Sequence, residues 1–427
     1  MRPDVNSIHS RSTLDTSNDS NIKIDQNGVL PIKSIRQSFT PNSEQIQMME
    51  IFRQMVNDCI KIGLENNCST LKRLSKLAYH ELQSYDIMSY YKLNAISQAT
   101  GRLRQAKQSI KRGIKTKSPF VRKPYLVNCY GFKINGCLLS IPYKPRQPIH
   151  ILLDVHTQKI LSDSALHVGS FAISQNSLSL CISKQVQEII PEKVIGIDRN
   201  LRNVTVGNND QVIFYKTNKL LSIKENTIHA RAGFKRNDHK MKRKFFQKFN
   251  QRMQQRTKKF LHKISKQIVD KARQNKSAIV FENLKGIRKL YLRGNGQDNN
   301  YRGKMNGWQF YELQRQIEYK AKWEGIPTVF VDPKCTSKLC PVCGKRIQED
   351  RQNKRKLWCN NCMKSMDRDV VASLNIAYKG WARFTHPRGD TNEATCDLFS
   401  RMPEPKLSSF DSLAILIVDV SKGESWT

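Results

Sequence analysis

Apolar residues along this chain recur at two different spacings, and the switches between them outline its elements. Residues 30–39 alternate apolar and polar positions, which predicts a strand. Thr40-Pro41 then predicts a helix start, with Thr40 as cap and Pro41 in the first helical position. From 42 to 113 the spacing is helical, with Met49, Phe52, Val56 and Cys59 at mixed three- and four-residue steps. After residue 126 the character turns to strand. Phe132 to Ile141 predicts a hairpin around Asn135-Gly136, a pair that accepts the positive φ of a type I′ turn. Ile149–Asp154 and Leu178–Ser183 predict further strands. The helices of 41–115 therefore read as an insert within a small β-domain covering 29–40 and 116–190.

A second domain opens near Pro191. Lys193–Asp198 and Ser277–Glu282 are short apolar runs of the buried-strand type, each closed by a carboxylate. Asn203–Gly207 and Gln211–Tyr215 predict two antiparallel strands after the first run, and Ile326–Val331 one more after the second. Between them lies a long helix whose stripe of Met241, Phe245, Phe249, Met253, Leu261, Ile264 and Ile268 predicts a core-facing side. Gly, Asn and Arg in 285–305 predict a mobile loop. Helices are expected over 307–324 and from Asp369 to Tyr378. Residues 1–28, rich in Ser, Asn and Asp, are expected to be disordered. Leu413–Val420 is a candidate strand in a tail, 385–427, that has no evident role.

Charge narrows the partner. The 427 residues carry 73 Lys+Arg against 36 Asp+Glu, a net of +37, which favours a polyanion. Residues 101–124 hold nine Lys/Arg and no acid, and residues 231–266 hold fourteen with one acid, Asp238. Such blocks suit phosphate contact. The tail is the exception, with seven acidic and four basic positions. No run of about 18 apolar residues exists to span a bilayer, so no membrane association is expected. Seven of the eleven cysteines are scattered, as suits a reducing cytoplasm, where a nucleoid-associated location is expected.

The other four, Cys340, Cys343, Cys359 and Cys362, form two Cys-x-x-Cys pairs fifteen residues apart. Each pair can bite one ion from a tight turn, and two turns complete a tetrahedron of thiolates for structural Zn²⁺. Asp198, Glu282 and Asp369 form the catalytic hypothesis. Singly each has a plainer reading: turn former, surface acid, helix cap. Together they stand at element ends that can converge, and converging carboxylates repel unless cations bind between them. Two Mg²⁺ ions roughly 3.5–4 Å apart would then support phosphodiester hydrolysis. Asp367 is an alternative third ligand.

The ordered set Gly196-Ile-Asp198-Arg-Asn…Asn203, Val280-Phe-Glu282-Asn-Leu, Thr336-Ser337…Cys340-x-x-Cys343-Gly…Cys359-x-x-Cys362 and Asp367-Arg-Asp369…Ala372…Leu374-Asn375-Ile376 resembles the TnpB family over about residues 30–384. These are transposon-encoded relatives of type V CRISPR effectors. The resemblance implies a multidomain α+β and α/β fold. A wedge-like β-barrel (29–40 and 116–190) carries a helical recognition insert (41–115). An RNase H-like RuvC domain (191–334 and 363–384) follows, with an inserted zinc ribbon (335–362). It implies that Asp198, Glu282 and Asp369 are the catalytic acids and bind Mg²⁺, with Zn²⁺ in the ribbon. It also implies a guide RNA from the transposon end, and double-stranded target DNA beside a short flanking motif. One departure is Val371, where the family often has Asn. The alternatives are a nuclease-silent RNA-guided DNA-binding protein and an unguided zinc-ribbon accessory to transposition.

Overall fold

The computed structural model describes residues 30–385 and 413–420, apart from 145–146, 236, 293, 351 and 354. The expectations for 1–28, and for the tail outside 413–420, fall outside the described residues. No helix among the described residues is long and apolar enough to cross a membrane.

The chain starts with β1 (Ile32–Ser38) and leaves the sheet for α1 (Ser43–Glu65), α2 (Leu71–Ala78) and α3 (Ser89–Lys111). It returns as β2 (Tyr125–Asn128), β3 (Lys133–Asn135), β4 (Leu138–Lys144), β5 (Gln147–Leu152), α4 (Val155–Leu161), β6 (His167–Ser174) and β7 (Ser177–Ser183). β1 pairs antiparallel with β7 in a sheet ordered β1-β7-β6-β2, while β3-β4-β5 form a separate sheet. Strands from before and after α1–α3 thus share one sheet. Met49, Phe52, Val56 and Cys59 are all buried, in a core that also holds Tyr91, Leu126 and Phe171.

Two local expectations are corrected here. The cap of α1 is Asn42, not Thr40. The Asn42 side chain accepts from the Gln45 amide at 2.9 Å, and the Gln45 side chain accepts from the Asn42 amide at 2.8 Å. This reciprocal pair satisfies two otherwise orphaned N–H groups, which Thr40 cannot do from its position. In the β3–β4 hairpin Asn135 pairs with Leu138, so the turn residues are Gly136 and Cys137. Of these only Gly136 has positive φ, 55°, as a glycine-first type II′ turn requires.

The second half supplies β8 (Lys193–Arg199), β9 (Asn203–Gly207), β10 (Gln211–Lys216), α5 (Asn218–Ala232), α6 (His239–Gln274), β11 (Ser277–Glu282), α7 (Asn299–Gly307), α8 (Phe310–Trp323) and β12 (Thr328–Val331). Then come β13 (Gln348–Glu349), β14 (Lys356–Cys359), β15 (Lys364–Asp367), α9 (Arg368–Thr385) and β16 (Ala414–Val418). A six-stranded sheet runs β12-β11-β8-β9-β10-β16. β8, β11 and β12 are mutually parallel, and β9 is antiparallel to both β8 and β10. The tail therefore has a structural place: β16 lies parallel along the edge of β10. The ribbon strands β13-β14-β15 run on to Asp367, past the boundary expected at 362. The 285–305 segment contains a 3₁₀ turn at Ile287–Tyr291 and the start of α7, not loop alone.

Strand alternation sorts this sheet into two faces. Ile195, Ile197, Ile279 and Phe281 join Leu261, Ile264 and Ile268 of α6 and Leu313 and Ile317 of α8 in one core. Val280 and Val331 meet Ile376 of α9 on the other face. Gly196 of β8 and Gly207 of β9 let α9 lie directly on that face. A Cβ at Gly196 would overlap the Ser373 carbonyl oxygen and the Ala377 amide nitrogen, and one at Gly207 would overlap the Ser373 hydroxyl.

The expected core stripe of α6 is only half core. Leu261, Ile264 and Ile268 are buried, whereas no residue from 239 to 256 is, and Met241 is 63% exposed. Past that point α6 no longer has the sheet beneath it and packs against α5, which half-covers Phe245 and Met253.

Candidate acidic site and metal centre

Alternation and parallel register together bring the acids to one edge. Asp198 shares the α9 face of β8 with Gly196. Glu282 shares the same face of β11 with Val280, one step beyond the Phe281–Ile197 pair. Asp369 enters from above, in the first turn of α9, the helix seated over Gly196. All three carboxylates are buried.

Each is held by named partners. Asn200 Nδ2 donates to Asp198 Oδ2 at 2.6 Å. Thr336 Oγ1 donates to Glu282 Oε1 at 2.6 Å, and Asn375 Nδ2 donates to the Thr336 carbonyl at 2.7 Å, so α9 steadies the Glu282 partner. The Arg199 guanidinium donates to the Glu282 carbonyl at 2.7 Å and to Gln314 Oε1 at 2.6 Å. Asn203 Nδ2 donates to Asp369 Oδ2 at 2.9 Å, and Arg355 Nη2 makes an ion pair with the same oxygen.

The carboxylates sense one another. Burial pushes Asp198 up to about 8, and the charges of Glu282 and Asp369 add to the rise. Burial also raises Glu282, against the lowering by Thr336 and Arg199. It raises Asp369 against the lowering by Asn203 and Arg355. Asp367 plays a separate part. Its Oδ1 accepts from the Asp369 amide at 2.8 Å, so it caps α9. The helix-cap reading considered for Asp369 thus belongs to its neighbour.

The donor set fits a hard divalent cation. It is all oxygen, and Asn203 Oδ1 and Thr205 Oγ1 are buried beside the acids with no hydrogen-bond partner, as hydration water of an ion would satisfy. The three acids stand wider apart than a single closed cage. Among the described residues, the four ribbon cysteines are the one group of three or more His, Cys, Asp or Glu side chains whose ligand atoms all approach within 4.8 Å.

Those cysteines fit zinc. The Sγ atoms of Cys340 and Cys362 are 3.8 Å apart, and those of Cys343 and Cys359 3.5 Å. Tetrahedral ligation at about 2.3 Å per Zn–S bond requires edges of about 3.8 Å. Gly344 takes φ 71° in the first knuckle, and its amide donates to the Cys340 carbonyl at 2.8 Å.

Sequence reasoning missed Arg355. It lies in a polar ribbon loop with no periodic signal, and only the fold brings it to Asp369. The lysines and arginines of 101–124 are exposed except for half-buried Arg102, so that charge faces solvent.

Comparisons with known proteins identify the chain's relatives. Residues 310–376, from α8 through the ribbon into α9, match the model of the Cas12f1-like TNB domain. A TnpB-like protein of Methanocaldococcus jannaschii is 33% identical over 264 residues, 58% of this chain and 92% of that one. The CRISPR-associated endodeoxyribonuclease Cas12f1 of Sulfoacidibacillus thermotolerans is 32% identical over 117 residues, 27% of this chain and 25% of that one. The cryo-EM structure of a Cas12f1-sgRNA-target DNA complex superposes with a TM-score of 0.56 at 18% identity, covering 78% of this chain and 81% of that one.

Proposed function

Because the chain belongs to the TnpB family, we propose that it is an RNA-guided endonuclease that hydrolyses phosphodiester bonds of target DNA. The observation that carries this reading is the buried, mutually repelling set of Asp198, Glu282 and Asp369 at one sheet edge. Buried like charges without a partner are costly, and divalent cations are the simplest group to relieve them. The relatives support the same reading: one is named an endodeoxyribonuclease, and another was solved with sgRNA and target DNA.

In this reading the six-stranded sheet with α6, α8 and α9 is an RNase H-like RuvC nuclease core, with the ribbon inserted before α9. The two N-terminal sheets form the wedge-like unit, and α1–α3 its recognition insert. Asp198, Glu282 and Asp369 would hold Mg²⁺. When bound, the ions supply an activated water and neutralise charge on the phosphate. The chain's own groups set the geometry. Asn200, Thr336 and Asn203 orient the three carboxylates. Arg355, half exposed on the ribbon, brings a guanidinium to the site that suits a phosphate oxygen. The +37 net charge serves a guide RNA from the transposon end and the target duplex. Base pairing reads the sequence, and the protein reads a short flanking motif.

The test is co-expression with the flanking DNA of its element, sequencing of the bound RNA, and incubation with a matching duplex beside a randomised flank. Cutting that requires the RNA, Mg²⁺ and Asp198 is expected. Asp198→Ala protein that keeps its RNA and still cuts would overturn the assignment.

A further inference from the structure

The long helix α6 carries more than the fold needs. Asn275 and Lys276 form a tight turn, so α6 runs back along β11. The six residues of β11 span about 20 Å, which about thirteen residues of helix cover. This brings α6 level with Glu282 near Leu261, in keeping with the first buried residue of α6 at Thr257. Residues 239–256 therefore extend about 27 Å beyond the sheet, past the edge where the acids lie.

This projecting half carries seven Lys/Arg and no acid. Aromatic rings lie among the cations. Phe245 and Phe249 are stacked at 4.1 Å with 18° between their planes, and the Arg252 guanidinium lies 5.9 Å from the Phe249 ring. Phe234 packs edge-on against Phe245 at 4.9 Å, which accounts for Phe245 as a brace of the α5–α6 turn. Phe249 rests on Phe245 with one side and is left 40% exposed on the other, so a ring face remains open to solvent. Rings interleaved with unpaired cations suit one kind of polyanion: a strand whose bases are unstacked from a partner. A duplex offers phosphates but hides its base faces.

We propose that residues 239–256 of α6 form a binding arm for single-stranded DNA, with Phe249, backed by Phe245, as a base-stacking platform that leads the strand to the acidic edge. The choice of DNA rests on the endonuclease reading; the stacking and the charge do not.

The test uses the full-length protein with its co-purified RNA, in buffer free of Mg²⁺ and of chelator so that no cutting intervenes and the ribbon keeps its zinc. The probe is single-stranded DNA containing 2-aminopurine, with fluorescence quenching reporting stacking and anisotropy reporting affinity. Phe249→Ala is expected to abolish the quenching and weaken binding roughly tenfold or more, with zinc content and melting temperature unchanged because the ring is outside the core. Phe249→Trp is expected to restore both. Unchanged quenching and affinity in Phe249→Ala overturn the proposal. So does loss of the co-purified RNA instead of DNA binding, which makes the arm an RNA site. So does a change in oligomeric state in Phe249→Ala, which makes it a self-association face. Binding is read without Mg²⁺, so a protein that stacks the strand but never cuts when Mg²⁺ is added refutes the nuclease reading alone.

Discussion

The guanidinium of Arg355 lies on the carboxylate of Asp369, joining the half-exposed tip of the ribbon to the buried start of α9. The Arg355 carbonyl also accepts from the Arg368 amide at 2.8 Å, so backbone and side chain are both anchored there. The four-cysteine ribbon thus meets the acidic site at Arg355 and Asp367 beside Asp369 and at Thr336 beside Glu282.

Removing that side chain should alter the site in a particular way. Burial raises Asp369, while Asn203 and Arg355 pull it back down. In Arg355→Ala the carboxyl rises further and holds its proton to higher pH. Cleavage should fall at least tenfold at neutral pH, the pH–rate profile should move to the alkaline side, and Arg355→Lys should recover part of the loss. Rates measured from pH 6 to 9 check this; a lower rate with no alkaline displacement would refute the electrostatic role.

Asp198 carries an opposite prediction for stability. Its carboxyl is raised to about 8 by burial and by Glu282 and Asp369, so the folded metal-free state binds more protons than the unfolded one between about pH 4 and 8. Stability conferred by the protonated form is present below the unfolded value and lost as pH rises through the folded one. Asp198→Asn removes that loss. Without added Mg²⁺ the variant should melt higher than the native protein at pH 8 and close to it at pH 4, and with Mg²⁺ restored its cutting should be abolished. Melting curves at the two pH values decide it, and a variant less stable at pH 8 contradicts the prediction.

The ribbon should depend on its metal. Its three strands are two to four residues long, too short to hold themselves by packing. Cys359→Ser should drop bound zinc from one equivalent toward zero and lower the folded yield. It should also reduce cutting, because Arg355 immediately precedes β14 and Asp367 ends β15. Metal analysis of purified protein settles the matter, and a full equivalent of zinc in the variant would remove Cys359 from the site.

Gly196 tests the seating of α9. Gly196→Ala pushes a methyl into the Ser373 carbonyl and the Ala377 amide, backbone atoms that cannot rotate away. Overpacking of this kind costs about 1–3 kcal/mol. Asp369 moves with the helix, so cutting should fall more than the melting temperature alone explains. Gly101→Ala, in α3 with open space around it, is the control and should be neutral or stabilising. Equal behaviour of the two variants would mean α9 is not seated as described.

The acids were legible because each ends an apolar run or opens a helix, and alternation within parallel strands sends such ends to one face. Their ordering around Asp369 was not: the cap turned out to be Asp367, since a carboxylate at either position gives the same local signal. The stripe of α6 misled for a related reason. Apolar spacing reports the side of a helix, and says nothing about how much of its length meets a neighbour, so Met241 and Ile264 look alike in sequence. Arg355 was beyond reach because its meaning comes from a contact across fourteen residues and two ribbon strands. Strand propensity marked 413–420, but pairing partners are set by the sheet, and nothing local pointed to β10.

The pairing of β16 with β10 has a consequence for how the chain is made. The two strands are separated by roughly 200 residues, and ribosomes add about 5–20 residues per second, so one edge of the sheet waits on the order of 10–40 seconds for its last member. Throughout that interval the nascent polypeptide exposes an open, apolar strand border to every neighbouring chain. Pairing with β16 then covers β10 and passes the border to β16 itself, whose Ile415 and Ile417 stay exposed.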